Sequence, residues 1–512
     1  RIPSSARAQD VPRLSEGSSA RMSGGVAVAI EARDANVGRR GASTDRSSGS
    51  RSGSFVLAAA LVLLPVAAVR AAPRQPGADR RPNLIVIIGD DVGRNDLGPY
   101  GHPHIRTPHL DRMAVTGFRF DRAFLTISSC SPARCSILTG RYPHSAGASE
   151  AQQHLPPDQV TLVEKLRAAG YYTASVGKWH LGDDAARRFD RVIRDNGPSG
   201  ADHWIQALRD RPRDRPFFFW LASNDAHRPY ERIPEYQPYK VREIVVPIFL
   251  PEITQTRVDL GTYYEEITRL DDFVGRVLAE LDRQAVTSNT FVLFLSDDGR
   301  PFPRCKTTLY DSGINTPFLV RFPSLVRAVG RPTGLVSVLD IAPTLLELAG
   351  LTPPATMQGK SFVPILKDPA ARIRDRVFAE QNWHDYAARK RAVRTERYKY
   401  IRNFYPDLPD TPPVDAVRSL TFQAMRRLRD RHQLPREQMD CFIVPRPAEE
   451  LYDLDVDPDE INNLAARPEY AARLQALRQS LTAWQRETDD REPVRRRADE
   501  YDRETGVPLP GT

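Results

Sequence analysis

Cysteine is scarce: Cys130, Cys135, Cys305 and Cys441 are the only four in 512 residues. A small disulfide scaffold is therefore excluded, and the fold must stand on a hydrophobic core with two bridges at most. The 40% hydrophobic content is enough for such a core. Long apolar runs are missing too, apart from FVLAAALVLLPVAAV at 55–69. That run is short and rich in small residues for a bilayer span, and the small residue Ala71 behind it suits signal peptidase. Residues 1–71 are read as a leader with a signal peptide cut after Ala71. This predicts export, periplasmic or secreted, with no stable membrane span after cleavage; an uncleaved anchor is the alternative. A basic tract is also lacking. The formal charge is +8, but residues 1–71 hold ten arginines and five acids, leaving 63 basic against 60 acidic side chains. That near balance argues against a nucleic-acid partner. Neither an internal repeat nor a Gly/Ser linker divides the rest.

What is present is an alternation of apolar runs and helical patterns. LIVII (84–88), FFFWL (217–221), FVLFL (291–295) and PFLV (317–320) are continuous and rich in branched or aromatic residues, as strands buried on both faces should be. Between them, TLVEKLRAAG (161–170), stopped by Gly170, and YYEEITRLDDFVGRVLAELDRQ (263–284) carry helical spacing. The order predicts an α/β fold over residues 80–370, a mostly parallel sheet sandwiched by helices. Beyond 370, RVFAEQ, RAVRTERYKYIRNF and ELYDLDVDPDEINNLA read as short strands and turns, with a helix near 468–487. They predict a smaller C-terminal α+β subdomain, 371–490, packed on the first, and a polar tail at 491–512.

Two of the strands end alike. LIVIIGDD closes on Asp90-Asp91 and FVLFLSDDG on Asp297-Asp298. The carboxyl ends of parallel strands share one edge, where ligands bind, so the two pairs can meet there. Four converging carboxylates repel unless a cation sits among them, and such oxygen ligands suit Ca²⁺ or Mg²⁺ rather than zinc. Each pair alone could equally close a turn or cap a helix.

The stretch SSCSPARCSILTGRYPH (128–144) carries the second signal. Pro132 suits the first turn of a helix that Gly140 stops, which puts Cys130 at or just before the positive end, an anion site by construction. The thiol could be a buried structural cysteine, a disulfide half, a metal ligand or a nucleophile.

CSPAR at 130–134 followed by SILTGR resembles the signature of the sulfatase family, in which that cysteine is oxidised to formylglycine (3-oxoalanine). The resemblance extends through RPNLIVIIGDDVGRNDLGPYG (81–101), SVGKWHLG (175–182), LASNDAHRPY (221–230), LSDDGRPFPRCKTTLYDSGINTPFLV (295–320) and ELYDLDVDPDEINNLA (450–465). It implies an alkaline-phosphatase-like α/β fold, and metal ligands at Asp90, Asp91, Cys130, Asp297 and Asp298 holding Ca²⁺, with Mg²⁺ as the alternative. It implies sulfate or leaving-group contacts at His227 and Lys306, catalytic roles for Lys178 and His180, and for Arg134 the holding of the hydrated aldehyde and the neighbouring carboxylates. Arg134 lies one helical turn from Cys130 and so on its face; Lys178 and His180 are two apart in a strand-like VGKWH and so on one side. The partners implied are a sulfated saccharide and, during maturation, a formylglycine-generating enzyme.

One position departs from the pattern: the family's usual Asp-Asn is here Asp297-Asp298, and the added negative charge should weaken the hold on an anionic substrate. Within the family the chain is similar to the N-sulfoglucosamine sulfohydrolases, the heparan N-sulfatase group, through SSCSPARCSILTG, GRPFPRCKTTLYDSG and RAVRTERYKYIRNFYPD. This implies hydrolysis of the N-sulfate of glucosamine in heparan-type glycans. The alternatives are an O-sulfatase or arylsulfatase, a phosphonate or phosphodiester hydrolase of the same fold, and a non-catalytic binder of sulfated glycans. If Cys130 is converted, three cysteines remain, and a Cys135–Cys305 bridge is one option for two of them.

Overall fold

The computed structural model describes residues 81–511, apart from 231–232 and 327–328. The expected leader and signal peptide lie outside the described residues. None of the helices among them is long and apolar enough to cross a membrane.

In chain order the first nine strands are β1 (Asn83–Gly89), β2 (Phe118–Arg119), β3 (Ala123–Phe124), β4 (Tyr172–Gly177), β5 (Arg191–Arg194), β6 (Phe217–Ala222), β7 (Thr290–Ser296), β8 (Phe318–Arg321) and β9 (Val336–Ser337). Seven of them form the main sheet, ordered β2-β8-β7-β1-β6-β4-β5. The five from β7 to β5 are mutually parallel. All four apolar runs singled out in the sequence fall on these strands. β8 runs antiparallel to β7, and the connection between them holds a single-turn helix, Asp311–Ile314.

Successive residues of a strand face opposite ways, and the core divides accordingly. Leu84, Val86 and Ile88 belong to the cluster on one face of the sheet, and Ile85 and Ile87 to the cluster on the other. This is why the runs are continuously apolar. The 30-residue helix Thr254–Arg283 covers the second face through Leu260, Ile267, Leu270, Val274 and Val277; it starts nine residues before the segment its spacing marked. The Leu162–Ala168 helix opens on a Thr161–Glu164 capping box, as its TLVE start favours.

Four antiparallel strands, β10 (Arg376–Gln381), β11 (Lys390–Thr395), β12 (Tyr398–Asn403) and β13 (Glu449–Asp453), build the second sheet. The Ala471–Glu487 helix packs on it through Leu474, Leu477, Leu481 and Trp484. Val377, Ala379, Ala392 and Ile401 of this sheet join the main core. Residues 491–511 fold back onto the protein, and Tyr501 bridges Pro508.

All four cysteines are free and buried. The Cys135–Cys305 bridge does not form, because Cys135 lies in the core on one face of the sheet and Cys305 in the core on the other.

β4 stops at Gly177, which adopts φ 106 and where an added Cβ would sit 1.9 Å from the Ala222 carbonyl oxygen. No side chain fits both the dihedral and the space. Gly177→Ala is therefore expected to cost roughly 2 kcal/mol or more in unfolding free energy, measured by urea titration, and to displace Lys178 next to it.

Candidate active site

The sheet brings the ends of its central strands to one edge. β1 and β7 pair in register to their last residues, Gly89 opposite Ser296, and β4 and β6 do the same with Gly177 opposite Ala222. Asp90-Asp91, Asp297-Asp298, Lys178 and the 223–227 turn thus emerge together. Ser296 Oγ donates to the Gly89 carbonyl at 3.1 Å and accepts from Val92 N at 2.8 Å, and Asp90 N donates to the Asp225 carbonyl at 2.8 Å.

Opposite this edge the helix Cys130–Thr139 begins at Cys130 itself, with extended Ser129 as its N-cap and left-handed Gly140, φ 63, at its end. Every residue of this helix is buried. Asp90, Cys130, Asp297 and Asp298 each present one ligand atom, and these four atoms lie within 4.8 Å of one another. Oδ1 of Asp90, Oδ1 of Asp297 and both oxygens of Asp298 are buried without a hydrogen-bond partner among the described residues. Orphaned carboxylate oxygens are costly, and a hard dication is what would satisfy this donor set. Burial, reinforced by Asp297, pushes the Asp298 carboxyl well above the usual range. Burial pushes Asp297 up to about 6 against the pull of Arg134. Burial acts on Asp90 as well, but Lys178, His227 and Arg134 overcome it and hold that carboxyl well below the usual range.

Asp91, the fifth expected ligand, is not in that group. Its φ of 62 turns the chain, its Oδ2 accepts from Lys306 Nζ at 2.7 Å, and its ligand atom groups instead with His227 and Asp415. The Asp91 Oδ1 is left without a partner among the described residues.

Arg134 lies on the face of the helix that its spacing indicates. Its Nε donates to Asp297 Oδ2 at 2.7 Å, one terminal nitrogen donates to the Lys178 carbonyl at 3.1 Å, and the other is 3.9 Å from Asp90 Oδ1. Lys178 Nζ donates to Asp90 Oδ2, and Lys306 Nζ lies 4.0 Å from Asp298 Oδ2. Lys178, His227 and Asp90 line a pocket of about 220 Å³. The His227 Nδ1 is bonded to the Arg228 carbonyl, and its Nε2 is 3.9 Å from Asp415 Oδ2.

The shared side of a strand expected for Lys178 and His180 is not realised. β4 has already ended at Gly177, and His180 takes φ 52 in the loop that follows. Burial, with Lys178 and Arg134 adding to it, lowers the His180 ring to about 3, so it is neutral near pH 7. Its Nδ1 is buried without a partner among the described residues.

Two residues here went unread in the sequence. His384, just beyond β10, shares a 2.8 Å hydrogen bond between its Nδ1 and Ser129 Oγ, next to Cys130. Burial lowers its pKa against the pull of Asp385, and it also feels Lys306, Asp415 and Asp91. Asp415 sits among Asp91, His227 and Lys306; burial would raise it, but Lys306 and His227 pull it down. Both arrive from the C-terminal region, and neither stands in a motif that the sequence singles out.

A family model described as "Sulfatase" matches residues 82–351, and one described as "N-sulphoglucosamine sulphohydrolase, C-terminal" matches residues 304–411. An ulvan-active sulfatase of Formosa agariphila is 32% identical over 461 residues, covering 79% of this chain and 74% of that protein. Human N-sulphoglucosamine sulphohydrolase is 31% identical over 484 residues, covering 85% of this chain and 94% of that one. Among solved structures, one described in complex with its substrate D-glucosamine-2-N,6-O-disulfate superposes with TM-score 0.61 at 21% identity, covering 81% of this chain and 99% of the other. At that identity the likeness speaks to the fold.

The donor set predicts one divalent cation per chain, lost in Asp297→Ala, as metal analysis of purified protein would read. Asp298→Asn is expected to keep the metal and to leave or improve activity, because it removes one negative charge and retains an oxygen ligand. Loss of metal from that variant would contradict the assignment.

Proposed function

The chain belongs to the sulfatase family and is a sulfuric ester hydrolase of the alkaline-phosphatase-like fold. From that premise we propose that it removes sulfate from a sulfated sugar, with the N-sulfate of glucosamine in heparan-type glycans as the substrate. The observation that carries the reading is the buried set of unpartnered carboxylate oxygens gathered against Cys130 at the start of its helix. The match of residues 304–411 to the C-terminal N-sulphoglucosamine sulphohydrolase model supports the N-sulfate.

Asp90, Asp297, Asp298 and residue 130 would hold Ca²⁺ or Mg²⁺, with Asp91 beside them under Lys306. Such a cation supplies Lewis-acid polarisation and lowers the pKa of a coordinated hydroxyl. Here the Cys130 sulfur stands where a formylglycine would offer two hydroxyls on one carbon, one to attack sulfur and one to expel sulfate. The unmodified thiol is not poised for attack: burial and the negative charge of Asp298 push it well above its ordinary pKa, against Lys178 and Lys306.

The side chains present do the binding. Arg134, Lys178 and Lys306 set three positive charges against the four aspartates, so a dication turns a net negative site into a weakly positive one that accepts an anionic ester. Lys178 and His227 face the pocket and would contact the sulfate or the leaving group; His227 Nε2 would donate a proton to the departing nitrogen or oxygen. His180, neutral, would offer a single N–H. Arg134 fixes Asp297 and the Lys178 backbone and so holds the cation site to the sulfate site.

Sulfate release from glucosamine N-sulfate is expected to exceed release from 6-O-sulfated glucosamine and from an aryl sulfate. Activity confined to the last two would replace the N-sulfate reading with an O-sulfatase, and turnover of phosphonate or phosphodiester substrates alone would replace both. Intact mass of protein from its native host is expected to show residue 130 converted by a formylglycine-generating enzyme. A free thiol in that material would favour a glycan binder.

A further inference from the structure

The segment that carries His384 is covered by the last residues of the chain. Trp383 Nε1 donates to the Ala498 carbonyl at 2.8 Å, Ala387 N to Asp499 Oδ1 at 2.7 Å, and Glu500 N to the Asp385 carbonyl at 3.0 Å. On the other side Asn382 Nδ2 donates to the Ser149 carbonyl at 3.1 Å, and Gln152 N donates to the hydroxyl of Ser131 at 2.9 Å, one residue after Cys130. Between these layers runs a groove lined by Arg389, Arg391, Arg491, Arg495, Arg496 and Arg497, with Glu150 and Asp490 the only carboxylates along it among the described residues. The groove shares Asn382, Ala387 and Ala388 with a narrow crevice that reaches His384 and Thr307, the neighbour of Lys306.

The six arginines fall into two sets. Arg391 and Arg389 are buried and both bind Asp490, Arg391 through two 2.7 Å bonds and Arg389 at 3.1 Å, which consumes that carboxylate inside the protein. The other four are on the surface. Arg497 lies 3.3 Å over the Trp383 ring and Arg496 4.1 Å over Tyr405. Cation–π contact and one or two carboxylates apiece hold them in place: Glu150 and Glu500 for Arg497, Asp407 for Arg496. Arg491 pairs with Asp489, and Arg495 has no carboxylate partner among the described residues. Exposed pairs of this kind contribute little, so a ligand with denser charge can displace the carboxylates. A guanidinium already fixed against an aromatic face loses less freedom on binding, and its planar fork matches a sulfate or carboxylate.

We propose that this arginine groove binds an anionic sugar unit, sulfated or carboxylated, of a saccharide chain whose terminal residue occupies the active site. The inference rests on the reading that the substrate is a sulfated saccharide, and it adds where the rest of that saccharide lies.

The test uses a heparan-type hexasaccharide and the corresponding sulfated monosaccharide. In Arg495→Ala/Arg496→Ala/Arg497→Ala protein, KM for the hexasaccharide is expected to rise about tenfold, with kcat and monosaccharide turnover unchanged. The corresponding triple lysine variant should lose less, since it keeps the charge without the fork. Equal changes for both substrates, or none, would overturn the proposal. Calorimetric binding of the hexasaccharide to Cys130→Ala protein, with and without the triple alanine substitution, needs no turnover. Equal affinity there sinks the groove alone, whereas failure of the wild-type enzyme to release sulfate from any sulfated saccharide sinks the proposed function alone.

Discussion

Buried like charge is the constraint on which the molecule turns. Four aspartates leave the ends of β1 and β7 in a space closed to water, where their repulsion is screened little. The side-chain cations divide among them: Lys178 on Asp90, Arg134 on Asp297, Lys306 on Asp91. Asp298 has only Lys306 at 4.0 Å, and both its oxygens lack a hydrogen-bond partner among the described residues. That remainder defines the demand for a hard dication, and it places the demand against Cys130.

The rest of the fold holds this arrangement still. Register between β1 and β7 fixes the two acid pairs relative to each other, and the stop at Gly177 fixes Lys178 beside Asp90. Tyr263 of the long helix accepts from Gly93 N at 2.8 Å and donates to the Asp91 carbonyl at 3.1 Å, pinning the turn that follows β1. The second sheet is part of the site as well. Glu380 N of β10 donates to the Thr126 carbonyl at 2.8 Å, which delivers His384 to Ser129.

Local pattern carried the parts that depend on local physics. LIVII, FFFWL and FVLFL are apolar at every position because both faces of the sheet are covered, and an acid pair follows LIVII and FVLFL after one small residue, so the edge was legible. Gly140 and Pro132 marked the helix of Cys130 for the same kind of reason. What escaped depends on partners far away in sequence. The end of β4 is set by the Ala222 backbone against Gly177, which VGKWH alone does not reveal. Adjacency to Asp90 does not tell that Asp91 takes a φ of 62 and pairs with Lys306. The bond from His384 to Ser129 spans 255 residues, and nothing near His384 distinguishes it from a surface histidine.

The most direct test is a high-resolution crystal structure of protein matured in its native host. The account predicts density for a divalent cation bound by Asp90, Asp297, Asp298 and an oxygen of a modified residue 130. An unmodified thiol with these aspartates bonded only to one another and to Arg134, Lys178 and Lys306, in crystals of active enzyme, would contradict it.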